Sequence, residues 1–210
     1  KEFNIAIPDD QAEKIATDLL NRTQDSELIL ESILSLGRSR EKELADPVGD
    51  GAVYTPYPVA EKLVNDINLQ AGQSVCDPAM GAGVFLIAAA EKRFHLGQSV
   101  ESIAKQTAGA DIDTVSVEVA KLSMQLWSWL RGTTVVSFDG LVCVDPLINP
   151  PTNWVKSFDV IIGNPPFLGQ LKSRTTRHKN RAQKLKQRYG NLATQYVDES
   201  ALFLLASLNM

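Results

Sequence analysis

From about Ser74 onward this chain alternates short apolar runs with helical stretches, and few folds tolerate that rhythm. SVCDP reads as a strand and VFLIAAAEKRF as a helix. AGADI follows as a second strand, and TVSVEVAKLSMQLWSWLR as a long helix ended by Gly132. TTVVSF reads as a third strand, and FDVIIGNPPF as a fourth running into a loop. Such alternation implies right-handed crossovers and a parallel sheet covered by helices. The expected class is therefore α/β, with at least four parallel strands. Ligands of open sheets of this kind lie beyond the carboxyl ends of the strands. The residues expected at those ends are Asp77, Asp111, Asp139 and Asn164.

The first part of the chain has a different pattern. IPDDQAEKIATDLLNR carries acidic residues at its start and apolar residues at helical spacing, and a second helix is expected from about Asp25. DPVGDGAVYTPYP breaks the pattern, and a further helix should begin near Pro58, because proline suits a first helical turn. We expect an N-terminal helical segment over residues 1–50 and a catalytic domain over residues 51–210, incomplete and without a target-recognition domain. No apolar run reaches the roughly 18 residues that a membrane span needs, and the N-terminus lacks the apolar stretch of a signal peptide. A cytoplasmic location is expected. The two cysteines, Cys76 and Cys143, sit in apolar runs without metal-ligand spacing, so they read as buried reduced thiols and no metal site is expected.

The formal net charge of −4 argues against a polyanionic partner, but its distribution argues for one. Leu168 to Asn191 holds eight basic residues and no acidic one. The rest of the chain is left with thirteen basic against twenty-five acidic residues. A basic segment on an acidic body is an electrostatic footprint for nucleic acid.

Four motifs carry chemistry. In DPAMGAGVFL a strand ends on Asp77, and a turn with Gly81 and Gly83 leads into a helix. Glycine lets backbone approach a ligand closely. The spacing is not that of a dinucleotide fingerprint. An acid at the strand tip would repel a pyrophosphate and attract an ammonium group. Asp111 in GADID stands one strand–helix unit later, where a carboxylate can accept both hydroxyls of a ribose. Asp113 beside it suits a helix cap. Asp139 in VVSFDGL is expected at the tip of the third strand, where it could accept from an adenine amino group. In FDVIIGNPPF proline ends the strand, and Pro165 and Pro166 stiffen the loop. The Asn164 amide oxygen and the Pro165 carbonyl can then accept both hydrogens of a planar amine, while Phe167 offers a stacking face.

YTPYPVAEKLV, VCDPAMGAGVFLIAA, GADID, FDGL and FDVIIGNPPF resemble, in that order, the motifs of the N6-adenine DNA methyltransferases, in the γ arrangement of restriction–modification enzymes. The resemblance covers about Tyr54 to Phe167. It implies a Rossmann-like, S-adenosylmethionine-dependent methyltransferase sheet. It places Thr55 and Pro56 at the methionine moiety of the cofactor. It assigns Asp77, Gly81 and Gly83 to the cofactor loop, Asp111 to the ribose and Asp139 to the cofactor's adenine amino group, with Pro78, Phe85, Ile112 and Gly140 also among the cofactor-binding residues. Asn164, Pro165 and Phe167 would clamp the target base, although many members carry tyrosine at the last of these positions. The implied reaction is direct in-line methyl transfer after base flipping, with double-stranded DNA as partner and a specificity or restriction subunit alongside. Lys172, Arg174, Arg177, Lys179, Arg181 and Lys184 are expected to meet DNA phosphates. Methylation of RNA or of a protein glutamine, and a non-catalytic nucleic-acid-binding subunit, are the competing readings.

Overall fold

A computed structural model describes residues 55–132, 136–154, 157–166, 176–193 and 198–210. The helices expected over residues 1–50 lie outside the described residues, as do Phe167, Lys172 and Arg174.

The expected parallel sheet is present. Its strands are β1 (Val75–Asp77), β2 (Thr107–Asp111), β3 (Leu141–Cys143) and β4 (Val160–Ile161). They lie in the order β3-β2-β1-β4, with every pair parallel. The chain thus builds outward from β1 to β3, then returns to the other side of β1. The strand order reverses between β1 and β4, and crevices at such reversals are where ligands bind.

Helices α1 (Tyr57–Asp66), α2 (Val84–His95), α3 (Val100–Lys105) and α4 (Thr114–Leu130) cover one face. Their buried side chains, among them Tyr57, Val64, Phe85, Leu86, Met124 and Trp127, pack with Val75 of β1. Helices α5 (Thr176–Tyr189) and α6 (Glu199–Ser207) supply the other face, where Leu185, Leu202 and Phe203 join Cys76, Ala108 and Trp154. Neighbouring strand residues point to opposite faces, so Val75 and Cys76 enter different cores. Each fully buried large side chain contributes about 1.5–3 kcal/mol.

Polar groups fasten the layers together. Lys92 of α2 donates to the carbonyls of Val64 (2.9 Å) and Ile67 (2.7 Å), capping the negative end of α1. Arg93 is wholly buried. It donates to the carbonyls of Ala89 (3.2 Å) and Gln73 (3.0 Å) and to Thr107 Oγ1 (2.7 Å), and burial pushes its guanidinium down to about 10. Asp113 caps α4, as its position suggests, accepting from Ser116 N at 2.9 Å. Trp127 is fully buried and donates to Glu91 Oε2 at 2.7 Å.

Two expectations fail here. The third strand expected at TTVVSF lies partly outside the described residues (133–135); its described part, residues 136–138, carries no strand, and β3 runs over Leu141–Cys143. The parallel register pairs Leu141 with Gly109 and Cys143 with Asp111, so it selects the second of two adjacent apolar runs. Cys143 is exposed on the outermost strand, whereas Cys76 is buried as expected.

Candidate functional site

The carboxyl ends of β1 and β2 bring together the residues expected from DPAMGAG and GADID. Asp77 ends β1 and is 1% exposed. Its Oδ1 accepts from Ala79 N at 3.0 Å. Burial raises this carboxyl to about 7; the Ala79 amide works against the rise, and the nearby Asp111 charge adds to it. Pro78, next in the chain, is buried, as is Phe85 in the first turn of α2. The turn that follows runs through Gly81 (φ +50°) and Gly83 (φ +84°). Both are left-handed conformations, which a side chain disfavours. Space is open on the side of Gly81 where a Cβ would project, whereas at Gly83 a Cβ would lie 3.3 Å from Ala120 Cβ of α4.

Asp111, at the end of β2, ties this turn down. Gly81 N donates to its Oδ2 at 3.0 Å, and Asp113 N to its Oδ1 at 2.9 Å. Burial raises the Asp111 carboxyl as well, opposed by those amides. Ile112, next in the chain, is exposed.

The end of β4 lies beside the end of β1. Ile162 N continues the pairing, donating to Cys76 O at 3.0 Å. Gly163 then passes so close to Asp77 that a Cβ there would collide with Asp77 Oδ1. Asn164, Pro165 and Pro166 follow, all half-buried. Asn164 Nδ2 donates to Thr55 Oγ1 at 3.1 Å, which brings Thr55 to the same crevice. Pro56, next to Thr55, is exposed and precedes α1. A second Asn-Pro-Pro run, Asn149 to Pro151, lies in the connection between β3 and β4 and has no strand leading directly into it. The tripeptide is thus informative only where a strand delivers it to the sheet's end.

Asp139 and Gly140 are not part of this cluster. Both precede β3 and therefore stand at the amino end of the sheet, level with the start of β2. Gly140 O accepts from Gly109 N at 3.0 Å, and a Cβ on Gly140 would collide with the Thr107 carbonyl. Its missing side chain lets β3 approach β2. Asp139 is exposed and bonds Ser137 Oγ at 2.5 Å.

The acid at the carboxyl end of β3 is instead Asp145, which sequence reasoning missed. Val144 N donates to Asp111 O at 3.0 Å, placing Asp145 next to the β2 tip. A signal existed: Asp145-Pro146 after an apolar run repeats the Asp77-Pro78 pattern. Asp145 Oδ1 accepts from Leu147 N at 3.1 Å, and its Oδ2 from Arg181 Nε at 2.7 Å. Arg181 also bonds Glu199, the first residue of α6, which is buried. Burial works against the guanidinium's charge, but the Glu199 and Asp145 carboxylates outweigh it and hold the group above its ordinary value.

Arg181 is therefore engaged inside the protein, which corrects its expected place among the outward-facing cations. Along α5 it shares the inner face with Leu185, while Lys184 and Lys186 are exposed. Arg188 donates to Ile148 O at 2.8 Å. Arg177 and Lys179 lie in the first turn of α5. Among the described residues no cluster of His, Cys, Asp and Glu could hold a metal, and no helix is long and apolar enough to cross a membrane.

Comparison with known proteins agrees with this architecture. The chain is 30% identical, over 134 residues, to the methylase subunit of the type I restriction enzyme EcoEI of Escherichia coli. That stretch is 61% of this chain but only 26% of the relative, so the chain spans about a quarter of that protein's length. The methyltransferase subunit of a type I restriction–modification system from Streptococcus thermophilus superposes with a TM-score of 0.51 at 20% identity, covering 84% of this chain and 36% of that one. DrdV, seen in a complex with DNA, superposes with a TM-score of 0.60 at 17% identity, over 87% of this chain and 22% of its own. These likenesses establish the fold. The N-6 DNA methylase family matches residues 43–208, most of the chain, and the chain belongs to that family.

Proposed function

We propose that this chain carries the cofactor pocket and catalytic loop of a restriction–modification methylase that methylates the N6 amino group of adenine in DNA. One observation carries the reading. The Asn164-Pro165-Pro166 loop leaves β4 against the buried acid at the tip of β1, where the strand order reverses.

The donor set suits S-adenosylmethionine and does not suit a nucleoside pyrophosphate. Asp77 offers a buried negative charge to an ammonium group, and Gly81 leaves open space above its backbone. Asp111, at the tip of β2 with Ile112 next in the chain, would accept the ribose hydroxyls. Asp145 takes the part expected of Asp139, as the acid at the β3 tip able to accept from an adenine amino group. S-adenosylmethionine, when bound, supplies a methyl group on a positively charged sulfur.

The remaining work falls to this chain. Asn164 Oδ1 and the Pro165 carbonyl accept the two hydrogens of the target amine, which returns lone-pair density to its nitrogen. Phe167 stacks on the base once it leaves the duplex, and unstacking costs a few kcal/mol. No covalent enzyme intermediate is required, so positioning and fixed dipoles supply the rate. Lys184 and Lys186 on the outer face of α5, with Arg177 and Lys179 at its start and Lys172 and Arg174 before it, meet phosphates. A specificity or restriction subunit would complete the assembly.

The test is Asn164→Ala in the complete protein, assayed by methyl transfer to plasmid DNA. Loss of one pre-aligned acceptor should lower turnover about 10²–10³-fold, the range seen for such groups. Full-rate methylation by the variant, or transfer to RNA or protein in preference to DNA, overturns the reading.

A further inference from the structure

Helix α5 differs in charge from the other described helices. Its residues, Thr176–Tyr189, include six lysines and arginines and no acid, whereas α1, α2, α3, α4 and α6 each carry at least one acid. Exposed helices are stabilised by acid–base pairs three or four residues apart, and α5 can form none within itself. Lys184 and Arg188, four apart and both exposed, repel instead. Such a face is complemented by a polyanion.

Charge alone positions a helix on phosphates and reads no sequence. The side of α5 that faces away from the core carries something more. Its inner stripe is Arg181, Leu185 and Tyr189, at four-residue spacing, with Leu185 wholly buried. The opposite stripe is Asn180, Gln183 and Gln187, three and four residues apart, and all three are exposed. Exposed Lys184 and Lys186 flank that stripe on its two sides. The helix is also fixed where such a stripe is useful. Leu185 packs with Cys76 and Ala108 of the sheet, and Arg181 Nε donates to Asp145, just past the end of β3. The amides therefore face away from the sheet near the end from which the Asn164 loop emerges.

A side-chain amide offers a donor and an acceptor side by side. Adenine offers the complementary pair, N7 and the N6 amino group, in the major groove, which is wide enough to admit a helix. Residues four apart on a helix are separated by a rise of about 6 Å, or about two base steps, so Gln183 and Gln187 reach different base pairs.

We infer that α5 reads base edges in the major groove of duplex DNA: Gln183 and Gln187 bond the bases, with Asn180 in the same stripe, while Lys184 and Lys186 hold phosphates on either side. The inference rests on the reading that this chain methylates DNA and deepens it, because it makes part of the sequence preference a property of this chain and not of a partner subunit alone.

The experiment uses the complete protein and a pool of duplexes of randomised sequence, sequenced for methylated adenine, together with the salt dependence of binding to one duplex. Gln183→Ala and Gln187→Ala should each flatten the preference at one base position by about 5- to 150-fold, the discrimination carried by one bidentate contact. Neither should change the salt slope, since an amide neutralises no phosphate. Gln183→Glu and Gln187→Glu, whose carboxylates only accept, should shift the preference at the same positions from adenine toward cytosine, whose N4 amino group donates. Wild-type preferences in all four glutamine variants, or an equal loss at every sequence, overturn the inference. If those preferences stay unchanged while the wild type methylates DNA, only the role of α5 in base reading falls. If the wild type methylates RNA or protein in preference to DNA, the proposed function falls and this inference with it.

Discussion

The tips of β1 and β2 and the tip of β3 each present a carboxylate at the same end of the sheet, but they hold it by different means. Asp77 and Asp111 are held by backbone amides of the turns that directly follow their strands, and by the Gly81 amide one turn away. Asp145 accepts one such amide, from Leu147, and then depends on Arg181, thirty-six residues along the chain. The first arrangement is local and neutral in its donors. The second uses a cation that a long basic helix has carried into the interior, and that cation also secures α6 through Glu199. One end of the crevice is therefore built by turn geometry, and the other by long-range charge pairing.

This contrast can be broken most forcefully at Arg181. Arg181→Ala should leave Asp145 and Glu199 as largely buried, uncompensated charges, and breaking such a pair costs about 3–5 kcal/mol. Denaturant unfolding should show that loss. Asp111→Asn, which keeps an acceptor for the Gly81 amide, should cost markedly less, and equal losses would erase the distinction.

A smaller effect is expected with pH. The Asp77 carboxyl is raised to about 7 in the fold, so between its unfolded value and about pH 7 the native state holds a proton that the unfolded state has released. Stability should therefore fall as pH rises through that window and level off above it. Asp77→Asn should remove that slope in urea unfolding at pH 5 and pH 8. Affinity for an ammonium-bearing cofactor should run the other way, increasing as Asp77 ionises. A wild-type slope in the variant would detach the effect from Asp77.

The smallest effect concerns the outward side of α5. Lys184→Gln with Lys186→Gln should reduce the salt dependence of duplex binding by about 0.9 in log–log slope for each phosphate that is no longer neutralised. Melting temperature should not move, unlike that of Arg181→Ala. An unchanged slope would leave that face of the helix without a role in DNA binding.

The same contrast explains what could be read from the amino acids alone. The DPAMGAG turn, the Asp113 cap and the Asn-Pro-Pro loop after an apolar strand are local, and each is legible because neighbours in sequence decide it. Asp139 is misplaced by sequence reasoning because VVSF and LVCV are both apolar and both precede an aspartate. Only the pairing of Leu141 with Gly109, across the sheet, shows which run is the strand. Arg181 looks, in the sequence, like one more member of a basic run. That it turns inward follows from Leu185 on the same helical face and from Asp145 and Glu199, partners 36 and 18 residues away.

The exposed thiol on β3 has a practical consequence. Cys76 is buried, and burial pushes its thiol far up, so it is unreactive toward alkylating dyes. Cys143 is the other cysteine of the chain and sits in the open, two residues before Asp145. A maleimide fluorophore should therefore attach at this single native position, giving an optical reporter beside the Arg181 fork without any engineered cysteine.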